Sequence, residues 1–263
     1  MQQVKVGGTT YTIMRGKTKI DGTGYTIFGG KTKVGGTAYA IDLGPVPSDY
    51  RRVKWIESTA KGSYIVLPFT TQEGLRVDFE VAFSSDFLTR SDAIYYNAWG
   101  YYYSSGYYNQ VFSMYRASGT SSKPKAEFRC SNADSESTLN NLTVTADTLY
   151  EVSVTATGNY TSGSTTMTFN GQSTSATGRG LNAGGREMRL FTTSDFWATS
   201  NNYPGQGRIG RFTAYNSSNE LLCDLWPCYR RSDGEPGFWD TVSETFLTNA
   251  GSGSLVAGAT VIS

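Results

Sequence analysis

The sequence predicts an all-β chain: a sandwich of antiparallel strands preceded by a short β-repeat segment. Three observations predict it. Residues 6–44 state one motif nearly three times, with a period of 14 residues. From residue 52 onward, short runs of alternating apolar and polar residues succeed one another, separated by turn-forming Gly, Asn and Ser. No stretch carries the periodicity of a long amphipathic helix, and none is apolar for long enough to span a bilayer as one.

The repeat reads Val6-Gly-Gly-Thr-Thr-Tyr-Thr-Ile13, then Ile20-Asp-Gly-Thr-Gly-Tyr-Thr-Ile27, then Val34-Gly-Gly-Thr-Ala-Tyr-Ala-Ile41. Arg15-Gly-Lys-Thr-Lys19 and Gly29-Gly-Lys-Thr-Lys33 lie between the copies. Tyr11 and Ile13 alternate with Thr10 and Thr12, which suits a strand, and Lys17-Thr18-Lys19 leads into Ile20 as a second. Gly8, Gly22 and Gly36, like Gly16, Gly30 and Gly44, stand where turns need freedom in φ. The expected unit is strand–turn–strand. Its apolar residues are Val6, Tyr11, Ile13, Ile20, Tyr25, Ile27, Val34, Tyr39 and Ile41. A lone two-stranded hairpin is marginal in water. Repeated small units become stable by stacking on neighbours or on other chains. Residues 1–44 are therefore read as an anchoring and oligomerising segment, with a homotrimer as the expected assembly.

Charge sharpens this reading. Residues 1–41 hold six basic residues against Asp21, a net of +5, which leaves −4 for the rest of a chain whose total is +1. The lysines recur beside turns, where solvated edge lysines discourage edge-to-edge aggregation. Nucleic acid is not an expected partner on this pattern. Gly-Gly-Lys-Thr at 29–32 lacks the earlier spaced Gly of a phosphate-binding loop and recurs as Arg-Gly-Lys-Thr, which marks it as repeat chemistry. Met1-Gln-Gln-Val-Lys5 has no apolar core of a signal peptide, so synthesis in the cytoplasm without that route is expected.

Gly44-Pro45-Val46-Pro47-Ser48 reads as a linker, placed at 45–51, and 52–263 as the large domain. Leu75, Val77, Phe79, Val81 and Phe83 alternate with Arg76, Asp78, Glu80 and Ala82. Tyr150, Val152, Val154 and Ala156 alternate likewise. Met167 and Phe169 precede Asn170-Gly171, a strong hairpin signal. Met188 and Leu190 continue the series. Phe212 and Ala214, then Leu221–Trp226, give two strands joined by Asn216-Ser-Ser-Asn219. Three cysteines, Cys130, Cys223 and Cys228, make no disulfide framework. Buried free thiols are expected. The chain has no histidine, which removes Ser-His and Cys-His nucleophile pairs. No metal site and no cofactor is expected.

Specific motifs then carry a resemblance. Trp55-Ile-Glu-Ser-Thr59 and Gly62-Ser-Tyr-Ile65 open the domain. Arg208–Tyr215, Leu225-Trp-Pro-Cys-Tyr-Arg230, Asp233–Asp240 and Phe246-Leu-Thr-Asn-Ala-Gly251 close it. Over roughly 52–260 the chain resembles concanavalin A-like (LamG-type) jelly-roll domains of phage and prophage tail and fibre proteins. The N-terminal repeats also resemble segments of such proteins. This resemblance implies a lectin-like sandwich with loop-borne sites, in a structural protein of a phage particle. It does not itself imply sugar binding, because the fold hosts many functions.

The densest aromatic stretch is 95–108. Tyr is a stiff, amphipathic contact residue favoured in binding loops with Ser and Gly, and its ring can stack on the apolar face of a sugar. Tyr95, Trp99, Tyr101, Tyr103 and Tyr107 are the candidate glycan-binding residues, with Trp197 and Tyr203 in a second cluster. The alternative is that alternate tyrosines pack within a sheet. Glycoside hydrolysis asks for two carboxylates flanking the bond. Asp78 and Glu80 are the nearest pair, and a solvated strand face explains them better. Asn132, Asp134 and Glu136 alternate as hard donors, but a polar loop is the better reading.

The expected function is a non-enzymatic virion structural and adhesion protein. Its repeats attach it to other virion proteins and multimerise it, and its jelly roll binds a host surface polysaccharide. The alternative is a purely structural fibre or decoration protein that touches only other virion subunits. A glycoside hydrolase is the weakest reading, and no membrane partner is expected.

Overall fold

The computed structural model describes residues 2–6, 9–13, 17–20, 23–26, 30–34, 37–41, 45–59, 62–89, 94–101, 111–116, 123–129, 136–158, 162–177, 185–191 and 207–261. Only the backbone is described up to residue 41 and at 94–97, 101, 111, 113, 115, 116, 129 and 136.

Each repeat is a two-stranded antiparallel ribbon. β1 (Gln2–Val6) pairs with β2 (Thr9–Ile13), β3 (Lys17–Ile20) with β4 (Thr23–Thr26), and β5 (Gly30–Val34) with β6 (Thr37–Ile41). The last register pairs are Val6↔Thr9, Ile20↔Thr23 and Val34↔Thr37, so the three hairpins repeat in phase. The two residues between paired strands are Gly-Gly, Asp-Gly and Gly-Gly, the chemistry a two-residue hairpin connection favours. Gly30 departs from the expectation of a turn. It is paired with Ile41 inside a strand.

The remaining strands are β7 (Tyr50–Arg52), β8 (Ile56–Ser58), β9 (Ile65–Thr70), β10 (Leu75–Ala82), β11 (Ile94–Tyr101), β12 (Val111–Arg116), β13 (Lys125–Arg129) and β14 (Glu136–Leu139). They continue with β15 (Tyr150–Thr157), β16 (Ser164–Phe169), β17 (Gln172–Thr177), β18 (Glu187–Leu190), β19 (Gly207–Asn216), β20 (Leu221–Arg230), β21 (Pro236–Asp240), β22 (Thr245–Thr248) and β23 (Leu255–Ala257). A short helix, α1 (Ser85–Thr89), starts where Ser84 Oγ accepts the Phe87 N–H at 3.1 Å.

An eleven-stranded sheet runs β17-β16-β15-β10-β19-β20-β21-β22, with β7 paired to β20 and β8 to β19 and β23. A six-stranded sheet runs β14-β13-β12-β11-β18-β9. All pairings are antiparallel. The two sheets pack face to face as a concanavalin A-like jelly roll. Period-2 alternation places the core: Leu75, Val77, Phe79 and Val81 are buried, and Arg76, Asp78 and Glu80 between them are partly exposed. Phe79 of the large sheet meets Phe112 of the small one edge-on, centroids 4.9 Å apart.

Local chemistry matches the strand ends. Asn170 and Gly171 take φ of 45° and 82°, both left-handed, at the turn between β16 and β17. Asn216 Oδ1 accepts the N–H groups of Ser218 and Glu220 between β19 and β20. Pro227 sits within β20 past the last β19 partner, Leu225, and before the first β7 partner, Cys228. A proline without an N–H fits that change of neighbour. β7 brings Tyr50 and Arg51 into the sandwich, so the sheet starts two residues before the boundary at 52 drawn from sequence. Cys223 and Cys228 are free and buried, and Cys130 lies outside the described residues.

Candidate functional site

The aromatic-rich segment divides. Tyr95, Trp99 and Tyr101 lie on β11, where Tyr95 pairs with Tyr115 and Tyr101 with Met188. The expectation of Trp99 as a surface stacking ring is corrected. Trp99 is fully buried among Phe128, Phe79 and Phe212, at centroid distances of 5.5, 6.3 and 6.4 Å. A register shift between Asn97 and Trp99 accompanies the consecutive burial of Ala98 and Trp99. Tyr103, Tyr107, Trp197 and Tyr203 lie outside the described residues, as does Ile27 of the repeats.

The acids are occupied structurally. Asp78 Oδ1 accepts the Ser153 hydroxyl at 2.6 Å, and its other oxygen pairs with Arg76. Glu80 Oε2 accepts the Arg211 N–H at 2.9 Å. Glu127 on β13 is fully buried and ion-paired with Lys125. Its register partners are Ser113 and Thr138, neither of them an acid. Among the described residues no group of three His, Cys, Asp or Glu is placed to hold a metal. Asn132 and Asp134 lie outside those residues.

The outward side of the large sheet carries a feature that sequence reasoning missed. Trp226 on β20 pairs with Trp239 on β21, which pairs with Phe246 on β22. Their rings form a row across three strands, each partly exposed. Tyr50 of β7 closes on it, 5.1 Å from Trp239 and 4.8 Å from Phe246. Three guanidinium groups interleave with the row: Arg52 and Arg211 lie 4.7 and 4.4 Å from the Trp226 centroid, and Arg230 lies 5.5 Å from Phe246. A fourth, Arg76, lies 4.0 Å from Tyr215 on β19. Arg211 forks onto Asp224 at 2.8 and 3.1 Å, and that hydrogen bonding raises its already high pKa. Arg230 binds Asp233, whose carboxyl is held below the usual range by that hydrogen bond.

This face could not be assembled from sequence because β7 reaches β20 across nearly the whole domain. The available signal was parity: Trp226 and Trp239 each follow an apolar residue, Leu225 and Phe238, that the core buries.

No protein-family model matches the sequence, and no curated protein matches it. Solved structures do. The native heptameric SAP-like pentraxin of Limulus polyphemus aligns at a TM-score of 0.50 and 11% identity, over 80% of this chain and 95% of its own. That likeness is one of fold. The enzymatically active domain of tailspike protein 2 of bacteriophage CBA120 aligns at 0.40 and 12% identity, over 60% of this chain and 25% of its own. The full-length tailspike protein 2 of an Escherichia coli O157:H7 bacteriophage aligns at 0.43 and 11% identity, over 72% and 31%. Neither tailspike likeness reaches a TM-score from which a shared fold follows.

Proposed function

We propose that this chain is a non-enzymatic structural and adhesion protein of a phage particle. Its hairpin repeats attach and multimerise it, and its jelly roll contacts a host surface polysaccharide. The observation that carries the reading is the run of three in-phase hairpins joined to a separate sandwich. Each ribbon is too small to be stable alone. By register, Val6, Tyr11 and Ile13 share one parity in the first ribbon, and Lys5, Thr10 and Thr12 the other. Such a ribbon asks for a partner on one side. Several copies of a shallow binding face then act together, so weak contacts suffice.

The absence of catalysis is part of the proposal. It is supported by the structural engagement of Asp78 and Glu80 and by the lack of a second acid beside Glu127 in register. The alternative, a fibre or decoration protein that binds only other subunits, draws support from the burial of Trp99, which removes one stacking candidate.

The test is retention of the full chain on immobilised bacterial surface polysaccharides, alongside labelling of purified particles by an antibody to the sandwich. Labelled particles with saturable retention and no sugar release are expected. Labelled particles without retention would leave the structural alternative. Sugar release would defeat the non-enzymatic reading.

A further inference from the structure

The geometry points to the outward face of β7, β20, β21 and β22 as a binding site for an acidic polysaccharide whose rings carry carboxylates. This inference rests on the adhesion reading and names its site and ligand class. Trp226, Trp239 and Phe246 are cross-strand partners on three adjacent strands. Neighbouring strands are about 4.8 Å apart, so the row runs about 10 Å across the sheet, long enough for more than one sugar ring. Arg52 and Arg211 lie over Trp226 and Arg230 over Phe246, so the partly exposed Trp239 between them is the ring best placed to take the apolar face of a pyranose.

The cations choose among polysaccharides. Arg211 and Arg230 are already matched by Asp224 and Asp233. Among the described residues Arg52 makes no ion pair, and its guanidinium stands 4.7 Å from the Trp226 centroid. A free fork beside an aromatic ring fits one planar carboxylate bidentately. A uronate ring supplies an apolar face and a carboxylate in the same unit. A neutral glycan leaves Arg52 unmatched. A nucleic acid presents a charge at every phosphate, whereas Arg76, Arg211 and Arg230 on this side of the sheet are already matched by acids. The basic repeats are poor occupants because they would bring like charge against Arg52.

The experiment measures retention of the full chain on sodium polygalacturonate, with its methyl-esterified form as the neutral comparator. Arg52→Gln keeps length and polarity without charge, and Trp239→Leu shortens the aromatic row. Both are checked for an unchanged melting transition. Saturable retention on polygalacturonate is expected, weakening with added salt. Arg52→Gln and methyl esterification should each reduce it by about tenfold, as loss of a charge-assisted contact does. Trp239→Leu, in whichever variant stays folded, should weaken both forms. Equal retention by wild type and Arg52→Gln, or of both polymers, overturns the inference. Retention on neutral glycans alone overturns it and leaves the adhesion reading standing. Silence toward every polysaccharide removes both.

Discussion

The buried Asp240 carboxylate accepts the backbone N–H of Asp224 on the neighbouring strand at 3.0 Å. The same side chain takes the N–H groups of Val242 and Ser243 and the Ser243 hydroxyl. One carboxylate therefore ties β20 to the turn leaving β21. Asp240→Asn turns one oxygen into a donor facing donors. We expect a loss of about 1–3 kcal/mol in urea unfolding, the cost of an unsatisfied buried group. An unchanged midpoint would mean the carboxylate is dispensable there.

Trp99 gives a sharper separation of core from site. Trp99→Ala should cost about 3–5 kcal/mol by opening a cavity between the sheets. Trp99→Phe should stay folded and keep full retention on any polysaccharide the wild type binds. Loss of retention in a folded Trp99→Phe protein would place that ring in a binding site after all.

Asn249 ties the chain after β22 to the residue just before β9. Its Oδ1 accepts the Tyr64 and Gly251 N–H groups at 3.1 Å each, and its amide donates to the Gly253 carbonyl at 2.6 Å. A Cβ at Gly251 would run into the Gly62 carbonyl oxygen. Asn249→Ala should therefore destabilise by about 1–3 kcal/mol, and Gly251→Ala should be worse tolerated than alanine at Gly171, where a Cβ meets nothing and only the left-handed φ opposes it. Thermal melts of the variants rank these effects.

Cys223 and Cys228 set a pH dependence. Burial pushes the Cys228 thiol from 9.0 up to about 12 and raises Cys223 well above its ordinary value. The folded state keeps the proton that the unfolded state releases. The contribution is full below about pH 9 and is lost as pH rises toward about 12. Urea midpoints should fall over that window, and the fall should be shallower in Cys228→Ala. Identical slopes would contradict the burial.

These contacts show what was legible in sequence. Strand positions such as Leu75–Val81 and Tyr150–Ala156 follow from alternation alone, and the Asn170-Gly171 hairpin from turn chemistry. The C-terminal motifs were legible as a signature, yet Asp240 and Asn249 within them are structural clamps. Trp99 was misplaced because a register shift beside it puts two successive residues inside, which period-2 reasoning does not foresee. The Trp226–Trp239–Phe246 row was hidden because it depends on which strands are neighbours. Arg52 and Tyr50 reach it only through the pairing of β7 with β20.

The central claim is that the hairpin repeats assemble the chain and the sandwich does not. Native mass of the full chain, set beside that of a chain starting at Pro47, tests it most directly. The account predicts a full-length oligomer, a trimer by expectation, and a folded monomer without the repeats. Equal, monomeric masses would contradict it.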